Sequence, residues 1–192
     1  ELTVITQGPG VALRNCLGIT LQRCIVLQIE SEKGKDPGIS EGPAISMDGY
    51  IFMTTIRENM LFASSGIGTK AAGKLDAKPS YLFTADLYVQ DNVFLCKQTG
   101  ISLPRFSLHF AETRISGNFV HGCAQGGIVA VGMVFPGCRL DVHGNELHAR
   151  GNGIVVGTGG ARISHNDISA AVAGQGGDGI AFSPGLDPTA ID

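Results

Sequence analysis

The sequence predicts an all-β chain built from one repeating strand-and-corner unit, and three observations predict it. The first is composition: 28 glycines, 6% aromatic residues and no tryptophan suit many short strands and tight turns. Helix-period amphipathic runs with caps are missing. The second is an asparagine that recurs at one place in the unit, and the third is a Gly-Ile pair that recurs farther along it.

The asparagine units are Ile56-Arg57-Glu58-Asn59, Val89-Gln90-Asp91-Asn92, Ile115-Ser116-Gly117-Asn118, Val142-His143-Gly144-Asn145 and Ile163-Ser164-His165-Asn166. An apolar residue stands three positions before each asparagine, and another (Leu61, Phe94, Val120, Leu147, Ile168) stands two positions after it. That is strand alternation on both sides of a sharp corner. The second signature is Gly66-Ile67, Gly100-Ile101, Gly127-Ile128, Gly153-Ile154 and Gly179-Ile180, the last four spaced by 27, 26 and 26 residues. An earlier unit fits with Cys24 in the asparagine column, Leu21 and Val26 pointing inward, and Ala44-Ile45 in place of Gly-Ile. Asparagine spacing varies from 21 to 33 residues, as expected when strands are fixed in length and the turns between them vary.

This pattern resembles the parallel β-helix repeat of the pectate-lyase-like superfamily, clearly over residues 54–182 and more loosely over 13–53. The resemblance implies a right-handed, single-stranded parallel β-helix of about six coils, with an asparagine column at one turn and a single domain over residues 1–192. Asparagine is expected at that corner because it tolerates the left-handed backbone conformation and its amide bonds to the next amide in the stack. Because the chain starts and stops in mid-pattern, it is expected to be a fragment of a longer protein whose flanking domains are its partners.

In such a stack, chemistry belongs to the outward positions and the turns. Four residues before the asparagines, Arg114, Asp141 and Arg162 are expected to stack as an alternating-charge row, read as a solvated ion ladder. Just after the asparagines come Glu146 and Asp167, then His121 and His148 with Ser169 next in line. These four acids and imidazoles are the candidate catalytic residues, suited by type to proton exchange or to a divalent ion. His143 and His165 read as solvated turn residues. On the Gly-Ile face, where the resemblance places saccharide, the expected outward residues Ser46, Ser102, Val129, Val155 and Ala181 are small or apolar. Ahead of them, Thr99, Gly126, Asn152 and Asp178 add one carboxylate, short of the pair that glycoside hydrolysis uses.

Residues 30–43 and 68–80 read as insertions beside that face. Their Lys33, Lys35, Lys70, Lys74 and Lys78, joined by Arg105 and His109 from a loop over 104–109, are the candidate contacts to an anionic polysaccharide. Acids interleaved with these lysines equally describe ordinary solubilising loops. The calcium-binding aspartates and the Arg-x-Pro-x-x-Arg pattern of the resembled lyases are missing. So are the Asn-Thr-Asp and Gly-His-Gly motifs of the hydrolases and the Asp-Pro-His-Glu motif of the epimerases.

A formal net charge of -3, with no basic stripe or stacking aromatics on the expected outer columns, argues against nucleic acid. No apolar run reaches the roughly 18 residues of a membrane span. Five cysteines (Cys16, Cys24, Cys96, Cys123, Cys138) without a C-x-x-C pair argue against a zinc site or a disulfide framework, and no cofactor is expected. Cys96 and Cys123 are expected near one another. Two functions remain: a noncatalytic structural or saccharide-binding module of a larger surface or secreted protein, or a polysaccharide lyase, hydrolase or epimerase acting on acidic glycans.

Overall fold

The structure is a computed structural model. It describes residues 2–6, 10–29, 42–69, 82–170 and 177–183, and for residues 104, 105 and 109–111 the backbone alone. Among the described residues the structure is all-β, with 77% of them in strands and no helix. The first strands are β1 (Leu2–Thr6), β2 (Val11–Leu17), β3 (Thr20–Gln22), β4 (Cys24–Gln28), β5 (Pro43–Arg57) and β6 (Met60–Thr69). There follow β7 (Leu82–Gln90), β8 (Val93–Ser116), β9 (Phe119–His121), β10 (Gly126–Val134) and β11 (Arg139–His143). The last are β12 (Glu146–Ala149), β13 (Asn152–Gly157), β14 (Ala161–Ser164), β15 (Asp167–Ala170) and β16 (Ile180–Phe182). The strands pair in parallel, and the pairing closes into a core of six strands to which the others add.

Three inward columns explain why these segments become strands. Along the first run, Val11, Ile45, Ile67, Ile101, Ile128, Ile154 and Ile180 lie in register. The second run stacks Leu21, Ile56, Val89, Ile115, Val142 and Ile163. On the third, Val4, Val26, Leu61, Phe94, Val120, Leu147 and Ile168 do the same. The middle members of all three are fully buried, while those at the ends of the runs are partly buried or, at Ile180, exposed. Each buried branched side chain is worth roughly 1.5–3 kcal/mol, so the columns dominate the stability of the stack.

The Cys24 unit falls where the alignment puts it, with the Cys24 amide donating to Asn59 Oδ1 at 2.9 Å. One further level, β1, lies below it and carries no asparagine or Gly-Ile mark.

The corner between second and third runs is held by the asparagines. Asn59, Asn92, Asn118 and Asn145 are buried, and each Nδ2 donates to the Oδ1 of the next asparagine, at 2.9, 3.0, 2.9 and 2.8 Å. The same nitrogens also donate to the main-chain carbonyls of Leu21, Ile56, Val89 and Ile115. The conformational expectation needs correction: the left-handed residue is the one before each asparagine. Glu58, Asp91, Gly117, Gly144 and His165 have φ of 54, 54, 64, 63 and 55°. That single reversed residue makes the turn and leaves the asparagine free to point inward.

The recurring glycine has a different cause. A Cβ on Gly127 would lie 2.7 Å from the Gly153 carbonyl oxygen, and one on Gly153 would lie 2.6 Å from that of Gly179. The chain crosses too closely there for any side chain.

A second correction concerns residues 104–109, expected as a loop. They lie inside β8, which turns from the first run to the second without leaving the ladder, and Leu103, Phe106 and Leu108 enter the core. The expected insertions are also shorter: Pro43 opens β5 and Thr69 closes β6, each paired. Lys33, Lys35, Lys70, Lys74 and Lys78 lie outside the described residues, as do the side chains of Arg105 and His109.

Candidate functional site

A stack of parallel strands repeats its outward positions every level, so one register line becomes one exposed row. On the second run, Thr20, Thr55, Tyr88, Arg114, Asp141 and Arg162 form such a row. Beside it runs a second row: Gln22, Arg57, Gln90, Ser116, His143 and Ser164. Between the rows lies an open groove of about 490 Å³ lined by Thr20, Thr55, Arg57, Tyr88, Gln90 and Arg114. The predicted ion row of Arg114, Asp141 and Arg162 is therefore real in register, but it is one end of a longer and more varied line. Counting four residues back from Asn92, Asn59 and Cys24 reaches Tyr88, Thr55 and Thr20, so the sequence held the signal for the missed half.

The groove is polar and electrostatically organised. Arg57 Nη2 donates to Gln22 Oε1 at 3.1 Å, and the Tyr88 hydroxyl donates to Asp86 Oδ1 at 3.3 Å. Burial, then the Asp86 charge, pushes the Tyr88 phenol above its ordinary range, so it stays a neutral donor. Glu112 accepts from Arg114 Nη2 and from Arg139 Nη2, each at 2.9 Å. Burial alone would raise its carboxyl, but the two guanidiniums outweigh burial and hold it below the usual carboxylate range. One level past the groove on the same row, Asp141 is only 5% exposed. Its Oδ1 lies 3.4 Å from His143 Nδ1, and neither atom makes a hydrogen bond; Arg114 Nε is likewise buried without one. Of these three atoms only Arg114 Nε belongs to a residue that lines the groove; Asp141 and His143 stand one level beyond it. Upstream on β5 and β7, Tyr50 stacks on Phe83 with ring centroids 5.1 Å apart, and Tyr50 is 54% exposed.

The first run keeps its expected quiet exterior. Ser46, Gly68, Ser102, Val129, Val155 and Ala181 share one register line. Asp178 stands at its far end, where its amide donates to Asn152 Oδ1.

The four candidate catalytic residues meet on the third run. Glu146 pairs with Asp167, and His148 lies between His121 on one side and Ser169 on the other. His148 Nε2 is 2.8 Å from Glu146 Oε1, and Ser169 Oγ is 2.6 Å from His148 Nδ1. The His121 and His148 rings lie 5.7 Å apart, with Phe119 5.5 Å from His148. Among the described residues no group of three or more His, Cys, Asp or Glu is arranged to hold a metal ion. Toward the start of the chain the same two register lines turn apolar: Phe62 and Leu95 continue the His121 line, and Met60 and Val93 continue that of Phe119.

All five cysteines are free thiols. Contact with the Cys123 thiol, then burial, pushes the Cys96 thiol far above its ordinary value, which leaves it inert. No helix in the described residues is long and apolar enough to cross a membrane. Comparison with family models, curated proteins and solved structures finds no match to this chain.

Proposed function

We propose that the chain is a right-handed parallel β-helix of the pectate-lyase-like kind, serving as a rigid saccharide-binding module of a larger surface or secreted protein. The groove on the second run carries this reading. Two threonine hydroxyls, a glutamine amide, a tyrosine and two guanidiniums are the donors and acceptors that match sugar hydroxyls, and the arginines add a preference for a uronate carboxylate. The exposed Tyr50 ring stacked on Phe83 adds the kind of flat apolar surface against which a sugar ring packs. Glycan lying along the stack meets the same rows level after level, so weak contacts sum along a polymer.

The deciding experiment is calorimetric titration of the chain with neutral and uronate oligosaccharides at low and high salt. Uronate chains are expected to bind more tightly, with the advantage shrinking as salt rises. Arg57→Met should remove most of that advantage, and Tyr88→Ala should weaken both classes about tenfold. Absence of binding by any oligosaccharide at low salt would leave only the rigid-spacer role.

A further inference from the structure

We propose that Ser169, His148 and Glu146 form a nucleophilic relay that hydrolyses carboxylic esters. Strand register builds the relay without help from any loop. Glu146 and His148 are two residues apart on β12, hence on the same exterior face, and Ser169 sits directly opposite His148 on β15. The 2.8 Å contact joins His148 Nε2 to a carboxylate, which when ionised only accepts. Nε2 therefore carries the ring proton, and Nδ1 is left with a lone pair. The Ser169 hydroxyl, 2.6 Å away, donates to it. A hydroxyl, a base and an orienting acid in series make the arrangement that activates a serine.

The surroundings favour the same assignment. Ser169 is exposed, whereas the His148 side chain retains 30% of its surface. Phe119 and His121 wall the opposite side of that ring, their own planes 2° from parallel. Asp167 pairs with Glu146 across the strands, one register position from the Leu147–Ile168 pair and two from His148–Ser169.

The chemistry balances with water as the sole co-reactant. Ser169 Oγ bonds to the ester carbonyl carbon as its proton passes to His148 Nδ1, and the carbonyl electron pair moves onto oxygen. When the carbonyl re-forms, the C–O bond to the alcohol breaks and the alcohol takes the proton from His148. Water then attacks the acyl-serine, again giving its proton to His148. The acyl–Oγ bond then breaks as His148 Nδ1 returns that proton to Ser169 Oγ, which releases the acid and restores the serine. Glu146 exchanges no proton in this cycle and acts as a positioning residue. An O-acyl group on a saccharide is a natural member of the substrate class, but the relay requires no sugar to operate.

The test uses the whole chain with p-nitrophenyl acetate and with a fluorophosphonate. Hydrolysis is expected, together with one fluorophosphonate adduct that peptide mass spectrometry assigns to Ser169. Ser169→Ala should abolish both signals, and His148→Gln should slow hydrolysis about 100-fold or more with an unchanged circular dichroism spectrum. Glu146→Gln should lower kcat while leaving KM in place, and Glu146→Asp should restore most of the loss. An adduct elsewhere, no adduct, or hydrolysis that survives Ser169→Ala overturns the proposal. Because the small ester carries no sugar, that result is independent of glycan binding.

Discussion

Two ladders run along this molecule at the same spacing, and they have opposite characters. The asparagine ladder lies inside the corner between second and third runs, where four of its five members are the same buried residue making the same bonds. The outer row of the second run stacks Thr20, Thr55, Tyr88, Arg114, Asp141 and Arg162, with few chemical types repeated. Burial accounts for the difference. An amide shut away from water must be satisfied by the levels above and below, so its identity is locked to theirs. On the outer row Tyr88 and Arg114 find their partners, Asp86 and Glu112, along their own strands rather than in the next level, which frees the row's residues to differ and so to recognise something.

The largest test of that contrast is Asn118→Ala. It removes bonds to Val89 and Asn145 and strands donors on Asn92, and should cost about 3 kcal/mol or more in urea unfolding. Asn166→Ala, at the half-buried end of the ladder, should cost clearly less, and Thr55→Ala on the outer row about 0.5 kcal/mol or less. Equal losses at Asn118 and Thr55 would erase the distinction.

Glu112 gives a test on the outer face. Its folded-state carboxyl is held below the ordinary value of 4.5, so its pairing stabilises the fold above that pH and is lost as pH falls through the lower, folded value. Glu112→Gln should therefore lower stability at neutral pH and flatten the acid limb of the stability profile. A limb unchanged from the parent chain would show that the two arginines contribute nothing measurable.

The smallest effect sharpens the corner itself. His165 occupies the left-handed position that Gly117 and Gly144 fill on neighbouring levels. Replacing it with glycine relieves backbone strain and should raise stability by up to about 1 kcal/mol, read from the midpoint of thermal unfolding. Destabilisation would mean that the His165 side chain contributes more than its backbone costs.

The inward columns and the asparagine corner were legible in the sequence because each level buries the same pattern against the next. Repetition is the physical requirement, and repetition is what a sequence displays. The cause of the corner was less legible: left-handed backbone falls on Glu58, Asp91 and His165 as well as on glycines, so residue type did not reveal it. Pro104 and its neighbours looked like a loop because they break the repeat, yet pairing along β8 carries them through the bend.

For the site, counting from the asparagines placed Glu146, His148 and Ser169 in their rows and placed Arg114 beside Asp141. Which partners those side chains then choose is decided by distances between levels, and local sequence carries no record of them. Arg114 turns along its own strand to Glu112 rather than across to Asp141, and His148 links an acid on its own strand to a serine on the next. The sequence by itself determined the columns, because hydrophobic burial and amide pairing demand the same residue at every level. Only the tertiary structure decided the groove and the relay, since an exposed side chain has several reachable partners and only packing selects among them.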